Sequence, residues 1–375
     1  MIDLLPYIPK KTSSDCEVFV KEKGEFLELS FKHPRSKPFK LRRFVDPKIL
    51  GSMFGQYQAE GTKDAKKKFR LEFTNKLIQE HKEFSDGLFH LGVTKEKMIF
   101  EMIYQPDFSV DKMKNAFEKH VGKITVFRKT NMKGKYGFRT YVRNTLLLEI
   151  FLNALDSERK KMTKENTILS DCFFAKMLTG DGTVDTRTNN REYDYPHTRI
   201  NITDRNFGYL KDYSDIMKNL GFTPHIIEKY ICVRSGCTVW NLLYLYKIRA
   251  FENSRNWNKL LVTIGLYLEG RRHNTYYRFI ELEKLGEFTS KDYMNFFGFS
   301  LRVTNDWLNN KEKEGLLIGK RNRPYPVKWS LTPKAIKLVD TLKQFKKELD
   351  SLTNKREANG LLDLLNSLKT KSSKT

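Results

Sequence analysis

The chain has 375 residues, 39% of them hydrophobic and 13% aromatic, which suits two or three packed domains and excludes a disordered polypeptide. Its 69 Lys plus Arg against 45 Asp plus Glu leave a formal charge of +24 spread along the length, so folded basic faces and a polyanionic partner are expected. Cys16, Cys172, Cys232 and Cys237 lack zinc spacing and read as thiols, and no run nears the ~18 apolar residues of a membrane span, so a soluble, cytoplasmic protein is expected.

Residues 1–35 alternate apolar and polar in CEVFVKEKGEFLELSFKH and predict a β-hairpin extension. FVDPKILGSMFGQYQAEG (44–61) predicts a buried helix, with Asp46 as N-cap, Pro47 at the first helical position and Gly61 as the stop. In 69–93 an alternating strand (Phe69, Leu71, Phe73) turns at Thr74-Asn75, a helix N-cap, into a helix closed by Gly92. SVDKMKNAFEKHVG (109–122) predicts a further helix, and FRKTNMKGKYGFR (127–139) a basic hairpin. TYVRNTLLLEIF (140–151) is a strand entering a helix, and the polar run ALDSERKKMTKEN (154–166) reads as a linker.

A second buried helix follows in TILSDCFFAKMLTGDG (167–182), then a long hairpin in TVDTRTNNREYDYPHTR (183–199). Residues 198–222 lie without a gap over 69–93: Arg199 on Arg70, Thr203 on Thr74, Lys211 on Lys82, Ser214-Asp215 on Ser85-Asp86, Leu220-Gly221 on Leu91-Gly92. One strand–helix unit has been used twice, so two similar halves are expected. Each copy follows a helix that ends in carboxylate-glycine, Glu60-Gly61 and Asp181-Gly182. A helix C-terminus disfavours an acid, and two acids brought together repel. A hard divalent cation with oxygen ligands resolves both conflicts; Mg²⁺ is the expected ion, with Mn²⁺ as substitute, and it makes a site for phosphodiester chemistry.

MFGQYQAEG (53–61) and FAKMLTGDG (174–182) resemble the nine-residue motif of the LAGLIDADG homing endonucleases, and the duplicated order of elements over roughly 36–250 is similar to their single-chain members. The resemblance implies an α+β fold of two pseudo-symmetric αββαββα halves (36–153 and 167–268) forming a DNA-binding saddle. It implies that the motif helices pack at the centre through Gly55, Ala59, Ala175 and Gly180, and that Glu60 and Asp181, each before its glycine (Gly61, Gly182), hold divalent metal at the scissile phosphates. Lys176 stands where the family has a small residue; an outward-turned lysine, with Ala175 taking part of the contact, would accommodate it. The family's basic residue near the active site would be Arg143 and Arg234, which share a Val-Arg pair before an apolar helix.

On this reading Lys66, Lys67, Lys68 and Arg70 contact phosphates, Arg187, Arg191 and Arg199 reach into the major groove, and Lys133, Lys135 and Arg139 form a further DNA-facing set. The spacing from acid to repeated arginine is 10 residues in one copy (60 to 70) and 18 in the other (181 to 199), so a monomer reading an asymmetric duplex is expected.

Beyond the repeat, TYYRFIELEKLGEF (275–288), TSKDYMNFFGFS (289–300) and LRVTNDWLNNKEKEGLL (301–317) predict three helices, followed by strand–turn–strand in IGKRNRPYPVKWSLTPKA (318–335). This order resembles a winged helix-turn-helix over 269–345, with Arg302, Asn305 and Asn309 facing bases and Lys320, Arg321, Arg323 and Lys328 facing phosphates. Residues 346–375 continue as a helix, packing back or pairing chains, and end in a tail, KTKSSKT, expected to be disordered. The expected function is site-specific cleavage of double-stranded DNA. A non-cleaving transcriptional regulator of the same type, or an intron maturase binding RNA, remains an alternative.

Overall fold

The computed structural model describes residues 1–31, 38–61, 69–131, 136–187, 197–270, 274–322, 324–352 and 359–372. The chain forms two compact units, the first made of Met1–Asp185, Arg199–Cys237 and Ile248–Trp257, the second of Thr186–Thr198, Thr238–Lys247 and Asn258–Thr375. The architecture is mixed α and β. No described helix is long and apolar enough to cross a membrane.

In the first unit, β1 (Ile2–Asp3) pairs with β5 (Phe44–Val45), while β2 (Val18–Lys23), β3 (Phe26–Phe31) and β4 (Phe39–Arg42) form an antiparallel sheet. The hairpin expected at the N-terminus is β2–β3, turned at Gly24 with φ +60°. Helix α1 (Pro47–Glu60) begins as its sequence dictates, the Asp46 carboxylate accepting the Lys48 N–H at 2.8 Å. Then come β6 (Leu71–Asn75), α2 (Ile78–His90), β7 (Met98–Tyr104), α3 (Asp111–His120), β8 (Val126–Lys129), β9 (Tyr136–Val142) and α4 (Thr145–Met162). The sheet order is β6-β9-β7-β8.

Two expectations for this region are corrected. Strand β8 pairs with β7 in parallel and not with β9, so the described residues of 127–139 do not form the expected hairpin; α3 supplies the crossover that a parallel pair needs. The run 154–166 is no linker for most of its length, since α4 continues to Met162. Leu155, Glu158, Arg159 and Met162 recur at helical spacing and are all buried, with Arg159 held by Asp212 at 2.8 Å.

Helix α5 (Ile168–Asp181) opens with a capping box between Thr167 and Ser170. It leads to β10 (Gly182–Arg187), β11 (His197–Thr203), α6 (Phe207–Asn219), β12 (Thr223–Ile227) and β13 (Cys232–Gly236), in sheet order β10-β11-β13-β12. The repeat noted in the sequence appears as β6–α2 and β11–α6. Both helices close alike: Gly92 and Gly221 take φ +99° and +83°, and Val93 and Phe222 return their N–H groups to Leu88 and Met217. Their entries differ from expectation. Asn75 and Asp204 do not cap the helices; their side chains close the preceding turn, accepting from Leu77 N–H at 2.9 Å and Asn206 N–H at 3.0 Å.

In the second unit, α7 (Val239–Lys247) and the bulk of α8 (Asn256–Glu269) belong with the C-terminal residues, so the boundary expected at 268 does not coincide with a unit boundary. There follow α9 (Arg278–Leu285), β14 (Phe288–Thr289), α10 (Ser290–Phe297), α11 (Leu301–Lys313), β15 (Leu317–Lys320), β16 (Lys328–Leu331), α12 (Pro333–Asp350) and α13 (Asn359–Ser372). The three strands form an antiparallel sheet in the order β14-β16-β15. The C-terminal helices pack back on their own chain: Leu349 and Leu365 close so tightly on Gly265 that a Cβ there would lie 3.0 Å from each. KTKSSKT is helical to Ser372 in α13, and its last three residues lie outside the described ones.

Candidate nucleic-acid interface and paired-acid site

Helices α1 and α5 pack backbone to backbone. A Cβ on Gly51 would lie 2.7 Å from the Leu169 carbonyl, one on Gly55 2.3 Å from the Phe173 carbonyl, and one on Gly180 2.5 Å from the Ala59 Cβ. Only small residues at these points allow the approach. Gly55, Ala59 and Gly180 lie where the two helices touch, and Ala175 is buried. Gly51 was missed, although its four-residue spacing to Gly55 and Ala59 was visible in the sequence.

This packing brings the two acidic ends together: the Cβ position of Gly180 is 3.2 Å from the Glu60 Cγ, and Asp181 is the next residue. Both acids are half-buried, and both are the last residues of their helices. The glycines after them have nearly the same extended backbone (φ −75°, ψ 161° at Gly61; φ −88°, ψ 153° at Gly182). Each donates its N–H four residues back, to Tyr57 and Leu178, and a Cβ would come within 2.4 and 2.5 Å of those carbonyls. The Gly182 carbonyl also accepts from Asn256 Nδ2 at 3.2 Å. Around the acids, burial first and then Glu72 and Tyr209 push the Tyr57 phenol up to about 12, and burial, Asp204 and Asp181 raise that of Tyr213. Both phenols stay neutral beside the carboxylates.

Among the described residues no group of three or more His, Cys, Asp or Glu side chains could hold a metal by itself. Two carboxylates from facing helix ends are the partial oxygen set that Mg²⁺ takes when phosphate and water oxygens complete its shell. The donors present fit such an ion, which Glu60 and Asp181 would hold.

Lys176 does not turn outward. Its half-buried side chain turns onto α2, the ammonium 2.9 Å from Glu80 Oε1 and in contact with Glu83, and Glu80 also accepts from Gln56 Nε2 at 2.8 Å and Asn253 Nδ2 at 2.6 Å. Burial opposes the charge on Glu80, yet Lys176 and these hydrogen bonds outweigh it and hold the carboxyl below its ordinary range. For Lys176 burial again opposes the charge, and the two carboxylates raise its pKa. The long side chain fits because Gly55 stands opposite: a Cβ there would lie 2.9 Å from the Lys176 Cβ.

The two sheets place Arg143 and Arg234 differently. Arg234, within β13, lies opposite Asn201 and donates from Nε to its Oδ1 at 2.6 Å. Asn201 is the repeat partner of Glu72, and Glu72 lies opposite Tyr141, so the register equates Arg234 with Tyr141. Arg143 sits beyond the end of β9, exposed, 5.9 Å from the Tyr141 ring. The shared Val-Arg pair is thus offset by two residues between the halves. Sequence alone hid this because α4 starts two residues after Arg143 and α7 five after Arg234.

Arg70 and Arg139 are paired with buried acids. Arg70 Nε approaches Glu72 Oε2 at 2.5 Å, an ion pair without hydrogen-bond alignment, and its guanidinium lies 4.5 Å from the Tyr141 ring centroid. Arg139 lies 3.3 Å from Glu101 and 3.7 Å from Glu72, and Arg128 lies 3.1 Å from Glu101. Glu72 and Glu101 are only 2% and 1% exposed, and neither was singled out from the sequence, because a strand acid on an alternating pattern reads as solvated. In the second sheet Asn201, Arg234 and His225 lie in one cross-strand row, with Asn201 Nδ2 3.3 Å from Thr183 Oγ1; among the described residues neither Arg199 nor Arg234 forms an ion pair. Lys66, Lys67, Lys68, Lys133, Lys135 and Arg191, and the Arg187 side chain, lie outside the described residues.

In the second unit, Arg302, Asn305 and Asn309 are exposed on one side of α11, Asn305 accepting from Ser290 Oγ at 3.1 Å. The strand-pair cations are partnered: Lys320 with Glu287 at 2.7 Å, Lys328 with the same carboxylate at 3.8 Å, and Arg321 with Glu312. Arg323 lies outside the described residues.

No family model and no curated protein matches the chain. Solved structures do match. A point mutant of I-SmaMI aligns at 10% identity over 60% of this chain and 91% of its own, with a TM-score of 0.33. The meganuclease I-SmaMI bound to uncleaveable DNA aligns at 10% over 62% and 91%, TM-score 0.34. I-SmaMI bound to an uncleaved DNA target in the presence of calcium ions aligns at 10% over 60% and 92%, TM-score 0.30.

Proposed function

We propose that the chain is a metal-dependent, site-specific endonuclease of the LAGLIDADG type, acting as a monomer on an asymmetric double-stranded DNA target. The observation that carries the reading is the convergence of Glu60 and Asp181 at the glycine-lined junction of α1 and α5. Two acids that end two facing helices are opposed by both helix dipoles and by each other, and a shared divalent cation would offset both.

Glu60 and Asp181 hold Mg²⁺, or Mn²⁺ in its place. When bound, the ion supplies positive charge that polarises a phosphodiester and steadies its departing oxygen. The chain's own groups supply the rest: Arg234 offers a guanidinium to the phosphate, Arg143 lies exposed past the end of β9, and the two sheets align the duplex. In the second unit, α9, α10 and α11 with β14–β16 act as a winged helix-turn-helix, α11 presenting Arg302, Asn305 and Asn309 to a major groove. That exposed polar helix face also suits a non-cleaving regulator, which is the second reading.

The test incubates the protein and its Glu60→Gln/Asp181→Asn double variant with a randomised duplex library and Mg²⁺, then Mn²⁺, and sequences bound and cut molecules. The expected result is cleavage at one long target by the parent, reduced about 10³-fold or more in the variant, with binding retained. Specific binding without cleavage by either protein establishes the regulator.

A further inference from the structure

The repeat-equivalent residues Glu72 and Asn201 do the same job with different charge. Each lies one strand from its motif's acid-glycine end: Gly61 bridges Phe73, the neighbour of Glu72, and Asn201 Nδ2 reaches Thr183, two residues beyond Asp181. Each lies beside an arginine Nε: Arg70 Nε is 2.5 Å from Glu72 Oε2 as an ion pair, with Arg139 3.7 Å from the same carboxylate, and Arg234 Nε donates to Asn201 Oδ1 at 2.6 Å. A carboxylate offsets the charge of a guanidinium beside it. An amide oxygen orients it and leaves the whole charge to act on an anion. Glu72 is almost wholly buried, so water screens that cancellation little.

We infer that residues 72 and 201 are positioning residues that make the two halves chemically unequal, so that the DNA strand served by Arg234 is cut first. The inference rests on the nuclease reading above. In the step concerned, the oxygen of a water molecule bonds to phosphorus and one phosphorus–oxygen ester bond breaks. The departing deoxyribose oxygen gains a proton, and the second proton of the water passes to solvent. Negative charge grows on the phosphate as this happens. Arg234 meets that charge undiminished, whereas Arg70 meets it with Glu72 alongside.

The experiment uses the duplex recovered by the cleavage selection, end-labelled on one strand or the other, under single-turnover conditions with Mg²⁺. The parent is expected to cut one strand about tenfold or more faster, through a nicked intermediate. Asn201→Glu is expected to slow that fast strand, and Glu72→Gln to speed the slow one, both narrowing the bias. Affinity for the same duplex in Ca²⁺ should change less than about threefold, which separates positioning from a merely structural role. Melting temperatures check that both variants fold, and Glu72→Gln carries the test alone if Asn201→Glu does not. Equal rates on both strands, or variants that slow both strands alike, overturn the inference and leave the nuclease standing. No cutting of any duplex removes both.

Discussion

The charges beneath α1 and α5 and those on the β15–β16 strand pair are both ion pairs, yet they are physically different objects. Lys176 with Glu80 and Glu83, and Arg139 with Glu72 and Glu101, join cations to acids that are 1–2% exposed in the case of Glu72, Glu80 and Glu101. Lys320, Lys328 and Arg321 are held by Glu287 and Glu312 on the surface. A buried pair cannot release its cation without stranding a charge, so it fixes geometry. An exposed pair is weak and screened, so a phosphate can take the carboxylate's place. A formal charge of +24 therefore overstates the charge free to meet a polyanion in the first sheet, and does so much less in the strand pair.

Breaking the comparison at its buried end gives the largest effect. Lys176→Ala leaves Glu80 buried with only amide donors, and a loss of about 3–5 kcal/mol is expected in urea unfolding. A loss under 1 kcal/mol would mean that water already reaches the pair. The neighbouring His81 extends the point to pH. Burial, opposed by its hydrogen bond to the Asn75 carbonyl and by Glu80, pushes its pKa from 6.5 down to about 4. The folded state keeps the ring neutral while the unfolded chain protonates below 6.5, so stability falls as pH drops from 6.5 and levels off near 4. The total is about 3 kcal/mol. His81→Gln should flatten that slope, and an unchanged slope in the variant would assign it to other groups.

Gly55→Ala is expected to cost about 1–3 kcal/mol, since its Cβ would press on the Phe173 carbonyl and on Lys176 together. Thermal unfolding measures it. A neutral result would show that α1 and α5 can separate without penalty, and the convergence of Glu60 with Asp181 would lose its basis.

These predictions trace where the sequence was legible. Features written in local order came through: the Asp46 cap, the glycine stops, the duplicated strand–helix, and the small residues that let two helices touch. Features that need a neighbour in space did not. The offset between Arg143 and Arg234 depends on strand register, which identical Val-Arg letters cannot reveal. The fate of Lys176 depends on Glu80 and Asn253, 96 and 77 residues away in the chain. The parallel β7–β8 pair depends on α3 acting as a crossover, where a basic turn between two short strands looked sufficient.

The smallest effect probes the exposed end. Glu287→Gln removes the carboxylate shared by Lys320 and Lys328. Glu287 is held below its ordinary range, chiefly by the Lys320 hydrogen bond, so it is ionised throughout the neutral range and would compete there with any phosphate that Lys320 and Lys328 meet. Removing it should leave the melting temperature unchanged and raise affinity for duplex DNA a few-fold at low salt. The gain should vanish as salt shortens the screening length toward ~3 Å at 1 M. Glu101→Gln in the first sheet should behave oppositely, lowering stability by about 1–3 kcal/mol as Arg128 and Arg139 lose their buried partner. Titrations of both variants across salt would separate charge that is available from charge that is only counted. If Glu287→Gln leaves affinity untouched at every ionic strength, the β15–β16 strand pair does not meet phosphate, and the second unit contacts DNA through α11 alone or serves another partner.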